Sequence, residues 1–148
     1  MDYPSLPTHI PAPWANWFVG FFDGEGCFLL AKQQGRIDAR ISIVLREDDE
    51  EILREVEQVT RGGNINAVSK DYDGPNSRDQ YVWRVSHNEE LKEKIIPIFE
   101  YCPPKSKKRQ EYRVWKECFE TIYELPSSEE RKEETYPLRK NLHQIRNY

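Results

Sequence analysis

Asp23 and Glu25 stand among glycines, in Asp23-Gly24-Glu25-Gly26, at the end of an apolar run from Trp17 to Phe22. Gly20 and Gly24 are four residues apart and so share one face of a helix. With no side chain at either position, a second backbone can approach that face closely, and the helix can pack against a copy of itself. A symmetric partner then brings a second Glu25 close to the first. Two neighbouring carboxylates are costly unless a cation lies between them, and Mg²⁺ prefers hard oxygen ligands of this kind. Phosphodiester oxygens can complete such a coordination shell, with metal ions clamping the attacking and leaving oxygens. An isolated Asp-Gly-Glu-Gly also serves as an ordinary turn, so its meaning depends on the elements that position it.

Those elements follow from the pattern of the 148 residues. Residues 1–12 hold Pro4, Pro7 and Pro11 and read as an extended arm; residues 13–148 read as one domain. Pro13 suits the first turn of a helix. Trp14 to Phe22 is apolar almost all round, which predicts a helix buried on all sides. After Gly26 the period becomes two: Ile37, Ala39, Ile41, Ile43 and Leu45 alternate with Asp38, Arg40, Ser42, Val44 and Arg46. That is a strand with one dry face, and Gln34-Gly35 supplies the turn from a preceding strand over Cys27 to Gln33. Ile52, Leu53, Val56 and Val59 have helical spacing behind a run of acids that favours the positive end of the helix dipole. Arg61-Gly62-Gly63 ends that helix. Asn64 to Lys70 and Gln80 to Ser86 alternate again as a second hairpin. Asn88 can cap a helix through Phe99, Lys107 to Tyr123 forms another, and a charged tail helix after Pro126 breaks near Pro137. The fold class is α+β, with helices covering the dry face of a four-stranded antiparallel sheet.

Composition narrows the function. Net charge is −4 and aromatic content 12%, enough aromatics to build a core. No apolar run approaches the roughly 20 residues of a membrane span, and the first residues lack the basic and apolar regions of a secretory signal. Cys27, Cys102 and Cys118 form no close pair, as in a reduced, intracellular protein. Charge is segregated: Glu47 to Glu57 is strongly acidic, whereas Pro103 to Lys116 and Cys27 to Arg46 are basic. The polar sheet face collects Gln33, Asp38, Arg40, Ser42, Arg46, Asn64, Asn66, Lys70, Gln80 and Arg84. Arg, Asn and Gln are the side chains that bond base edges in a DNA groove, although a solvated strand face carries the same types.

Phe18 to Gly26, FVGFFDGEG, resembles the nine-residue signature of the LAGLIDADG homing endonucleases. The glycines match in spacing, and Glu25 replaces a second Asp, a variant that the family also uses. The order of hairpins and helices over residues 13–125 is similar to the family's αββαββα core, with 126–148 a helical tail. Lys105-Ser106-Lys107-Lys108 fits a basic stretch opening the helix after the second hairpin. The position of a polar, water-orienting residue falls near Glu47, to which no role is assigned. One motif is present, and one-motif members of the family are homodimers.

The resemblance implies a saddle-shaped sheet on double-stranded DNA. It also implies Mg²⁺-dependent double-strand cleavage, with Mn²⁺ able to substitute, at a long pseudo-palindromic site, leaving short 3′ overhangs. Glu25 and the Gly24 carbonyl would hold the metal, and Lys107 would be the catalytic, charge-stabilising basic residue near the transition state. Trp17, Gly20, Phe21, Asp23 and Gly24 would form the dimer interface. Arg40, Arg46 and Arg84, with Gln33, Gln80, Asn64 and Asn66, would read bases, and Asp38, Ser42 and Lys70 would lie on the same DNA-binding face. Arg36 and Arg78 at the hairpin tips would reach flanking phosphates, and Lys105 and Lys108 would touch phosphate or solvent. Within the same family, an RNA-binding intron maturase and a catalytically inactive DNA-binding regulator are the alternatives.

Overall fold

The structure, a computed structural model, describes residues 1–68, 79–125 and 128–147. Lys70 and Arg78 lie outside them. Helix α1, Ala12–Glu25, has Pro13 in its first turn and runs directly into β1, Gly26–Gln33. Gln34 and Gly35, both at positive φ (50° and 79°), make the tight turn that matches strand twist and lead into β2, Arg36–Arg46. A 3₁₀ turn over Glu47–Asp49 precedes α2, Glu50–Thr60. Arg61 (φ 56°) and Gly63 (φ 79°) then reverse the chain. A Cβ on Gly63 would lie 2.6 Å from Trp83 Nε1 and 2.9 Å from the Arg84 carbonyl, so this turn requires glycine.

The second hairpin comprises β3, Asn64–Val68, and β4, Gln80–Val85. Three short helical pieces follow without a break: α3, Asn88–Glu90, a π-type turn Leu91–Ile95, and α4, Ile96–Tyr101. Asn88 is the first helical residue here and His87 holds the cap position, without a side-chain cap bond. Last come α5, Lys108–Glu124, and α6, Ser128–Arg146. No helix among the described residues is long and apolar enough to cross a membrane.

The sheet is fully antiparallel in the order β1-β2-β4-β3. Its dry face carries Phe28, Leu30, Ile37, Ala39, Ile41, Ile43, Trp83 and Val85, all buried against the helices. Phe18, Phe22, Phe28 and Phe99 pack ring to ring at 4.9–6.0 Å beneath it. Trp115 of α5 is buried and donates its indole N–H to the carbonyls of Leu29 (3.1 Å) and Arg40 (3.0 Å).

The structure refines the sequence reading at three points. First, within one chain α1 is buried along one stripe: Ala15, Phe18, Val19 and Phe22 are buried, and Trp17, Gly20 and Gly24 are exposed. One chain supplies partners for one stripe of a helix, and the other stripe stays open. Second, α6 continues through Pro137. Pro137 is exposed, where water can serve the carbonyl that its missing N–H would have bonded. Third, the tail, whose packing the sequence left open, lies against the body: Leu142 is fully buried, Tyr136 donates to the Gly35 carbonyl at 2.6 Å, and Arg146 pairs with Glu111 at 2.5 Å.

Candidate active site and nucleic-acid interface

The last turn of α1 leaves carbonyls without intrahelical partners. Lys108, at the start of α5, reaches this end: its ammonium donates to the carbonyls of Phe22 (3.1 Å), which also accepts the Gly26 amide, of Asp23 (3.1 Å) and of Gly26 (2.6 Å), the first residue of β1. A cation here also complements the negative end of the helix dipole. Burial pushes the Lys108 ammonium below its ordinary pKa, against the opposing pull of Glu111. An ammonium has three donors, and all three are engaged, so Lys108 caps a helix and the DNA contact expected of it is withdrawn.

Asp23 has partners within its own chain. Its carboxylate accepts the amides of Lys105 (3.2 Å) and Ser106 (3.0 Å) and the Ser106 hydroxyl. Partial burial alone would raise its pKa. The Ser106 hydroxyl and amide, the Lys105 amide and the Lys108 charge outweigh burial and hold it below the ordinary value. Asp23 and Lys108 thereby fix the Lys105–Lys107 loop to the acidic turn. Lys107 is half-buried and takes the N-cap position of α5, and Lys105 is exposed. Gly26 completes the joint: a Cβ there would lie 2.2 Å from the Phe22 ring.

Glu25 and Gly24 are exposed at the end of α1. A Cβ on Gly20 or on Gly24 would meet nothing within 4 Å. Beside them Trp17 is 41% exposed and stacks on Phe21 at 5.2 Å. Among the described residues no three His, Cys, Asp or Glu side chains come together as metal ligands. The chain presents a single carboxylate and a helix-terminal carbonyl, both hard oxygen donors of the type Mg²⁺ takes.

The register brings the candidate base-reading residues onto one sheet face. Cys27, Ser42, Arg84 and Asn64 form one row across all four strands; Val44, Val82 and Asn66 form the next; Arg46, Gln80 and Val68 form a third. Toward the first hairpin, Leu29 pairs with Arg40, Ala31 with Asp38 and Gln33 with Arg36. This face holds four arginines and one carboxylate, so it is cationic although the chain is acidic. Gln33, Asn64, Asn66, Gln80 and Arg84 are exposed. Ser42 is 5% exposed on a central strand, too deep to meet a base edge, and leaves the set. Arg40 is largely buried and lies 3.5 Å from Asp38, which Arg36 also approaches at 3.6 Å. Arg46 is held by Asp48 at 3.0 Å, an exposed pair that opens at little cost. Val44, 41% exposed in the middle of this face, was missed; its place in the period-two pattern was the available signal, and its methyls suit a thymine methyl.

A sequence model described as LAGLIDADG endonuclease matches residues 18–119. The chain belongs to the LAGLIDADG endonuclease family. A curated relative, "Probable intron-encoded endonuclease Cox1-I1b" of Schizosaccharomyces pombe, is 30% identical over 109 residues, covering 72% of this chain and 27% of that protein. The LAGLIDADG meganuclease I-CpaMI, solved bound to uncleaved DNA, is 26% identical with a TM-score of 0.65, over 74% of this chain and 36% of that one. I-SmaMI, solved with an uncleaved DNA target and calcium ions, shares the fold at 22% identity and a TM-score of 0.72, over 90% of this chain and 45% of that one. The chain therefore spans about a quarter of the curated relative and less than half of either meganuclease.

Proposed function

We propose that this chain is a site-specific DNA endonuclease that cuts both strands of a long pseudo-palindromic target as a homodimer. The observation that carries the reading is the open outer stripe of α1. It has two glycines with empty space above them, flanked by Trp17 and Phe21, and it ends in the exposed Glu25. A second copy packed there supplies the second carboxylate. Two-fold symmetry of the protein then asks for two half-sites.

Glu25 and the Gly24 carbonyl fit Mg²⁺, with Mn²⁺ as a substitute. The ion supplies activation of water and stabilisation of phosphate charge. Lys107 places a cation near the reacting phosphate, fixed by the Asp23–Ser106 bonds beside it. Arg46 and Arg84, with Gln33, Asn64, Asn66 and Gln80, contact base edges; Arg36 and Lys105 contact phosphates. Short 3′ overhangs are the expected product.

The test is digestion of a randomised duplex DNA library with Mg²⁺, sequencing the cut ends, with Glu25→Gln alongside. The expected result is a discrete pseudo-palindromic site cut by the unaltered protein alone, with binding retained in the variant. Selective binding without cutting would replace the nuclease by a regulator. Absence of both on DNA, with binding to RNA, would replace it by a maturase.

A further inference from the structure

Behind the first hairpin, on the side of the sheet away from the base-reading face, α6, β1 and β2 line an open cavity of about 370 Å³. Lys32, Arg139, Lys140 and His143 line it, and no carboxylate does among the described residues. We propose that this cavity is a phosphate-binding site for a nucleic-acid strand, separate from the groove face of the sheet.

The placement of Lys32 is the first support. Phe28, Leu30 and Lys32 alternate along the dry face of β1, whereas Gln33 next door belongs to the groove face. A lysine at a dry-face position is turned away from DNA lying on the saddle. Its ammonium sits 4.6 Å over the Tyr136 ring, and the Tyr136 hydroxyl is tied to the hairpin through the Gly35 carbonyl at 2.6 Å. Arg139 is held in turn by its Nε, which donates to the edge carbonyl of Leu30 at 2.8 Å. Two of the cations are therefore positioned by the fold rather than left to solvent.

Charge is the second support. From Tyr136 to Arg146, α6 carries Arg139, Lys140, His143 and Arg146 and no acid. The acid reaching this half of the helix from α5 is Glu111, which already pairs with Arg146 at 2.5 Å. Burial, then the charges of Arg139 and Arg146, push the His143 imidazole below its ordinary pKa. Cations gathered without a counter-charge repel one another, and a bound anion relieves that repulsion. The α6 lining runs from Tyr136 to Gln144, about 12 Å of helix at 1.5 Å per residue, with Asn147 just past the helix end. That is longer than one phosphate and suits successive phosphates of a strand, with the Gln144 and Asn147 amides at its end. The α6 part of the lining lies outside the span matched to the family, residues 18–119, whereas Lys32 and Ile37 lie within it.

The test uses the full chain, inorganic phosphate, and a labelled 12-nucleotide single-stranded RNA. NMR titration of His143 should show its pKa rising with either probe, with Lys32, Arg139, Lys140, Arg146 and Glu111 as the charged groups facing it. Lys140→Glu should weaken RNA binding at least tenfold and reduce the slope of log K against log salt by about 0.7, the value of one single-strand phosphate contact. Lys140→Arg should bind as the unaltered protein does, and DNA cleavage should be unchanged in both. Arg46→Ala and Arg84→Ala should leave RNA binding at this site intact. RNA binding lost in the Arg46 and Arg84 variants but kept in Lys140→Glu would overturn the proposal. A response of His143 to phosphate but not to RNA would overturn the assignment of a strand.

Discussion

The two faces of α1 are opposites. The inner stripe of Ala15, Phe18, Val19 and Phe22 is buried by the chain's own sheet and helices. The outer stripe of Trp17, Gly20, Phe21 and Gly24 meets no part of the same chain at its glycines. Glycine has opposite meanings on the two sides. Gly26 is small because the Phe22 ring occupies the place of its Cβ. Gly20 and Gly24 are small although nothing intramolecular occupies that space. A helix apolar on both sides, with its own chain serving one of them, is what the proposed homodimer requires.

The largest difference is expected from aromatic truncation. Phe22→Ala should cost about 3–5 kcal/mol of folding stability, measured by urea denaturation. Trp17→Ala should leave that value nearly unchanged in dilute solution while abolishing self-association. Gly26→Ala forces a methyl into the Phe22 ring and should cost about 1–3 kcal/mol. Adjacent lysines sharpen the contrast further. Lys108→Met removes the cation bonded to the Phe22, Asp23 and Gly26 carbonyls at the α1–β1 joint and should cost about 1–2 kcal/mol. Lys107→Met should leave the melting temperature alone and slow cleavage on the order of 10²-fold, as for loss of one charge-stabilising donor. The smallest effect is electrostatic. The Asp23 carboxyl is held below its ordinary 3.8, so its contribution is complete above that pH and is lost as pH falls through its own lower value. Melting temperature should fall on acidification in that window, and Asp23→Asn should flatten the fall.

Periodicity made the sheet legible before any coordinates. A side-chain period of two fixes faces, and the register placed Asn64, Arg84 and Ser42 in one row as the alternation required. Periodicity does not report depth, so Ser42 passed as a surface residue, and Arg40 gave no sign of its pairing with Asp38. The acidic turn was legible from its glycines, but the role of Asp23 was not: its partner Ser106 is 83 residues away. Lys107 and Lys108 are neighbours of the same type. Only the rotation of α5 against α1 makes one a helix cap, and sequence carries no measure of that rotation. The packing of α6 was hidden for a similar reason, since its anchors at Leu30, Gly35 and Glu111 are contacts across more than thirty residues.

Sedimentation equilibrium of the unaltered protein beside Gly20→Leu tests the central claim most directly. The account expects the unaltered chain at twice its 17.7 kDa, and the variant, folded by circular dichroism, at the single-chain mass and inactive on DNA. An unaltered protein that sediments as a monomer while cutting both strands, or a Gly20→Leu variant that remains a dimer, would contradict it.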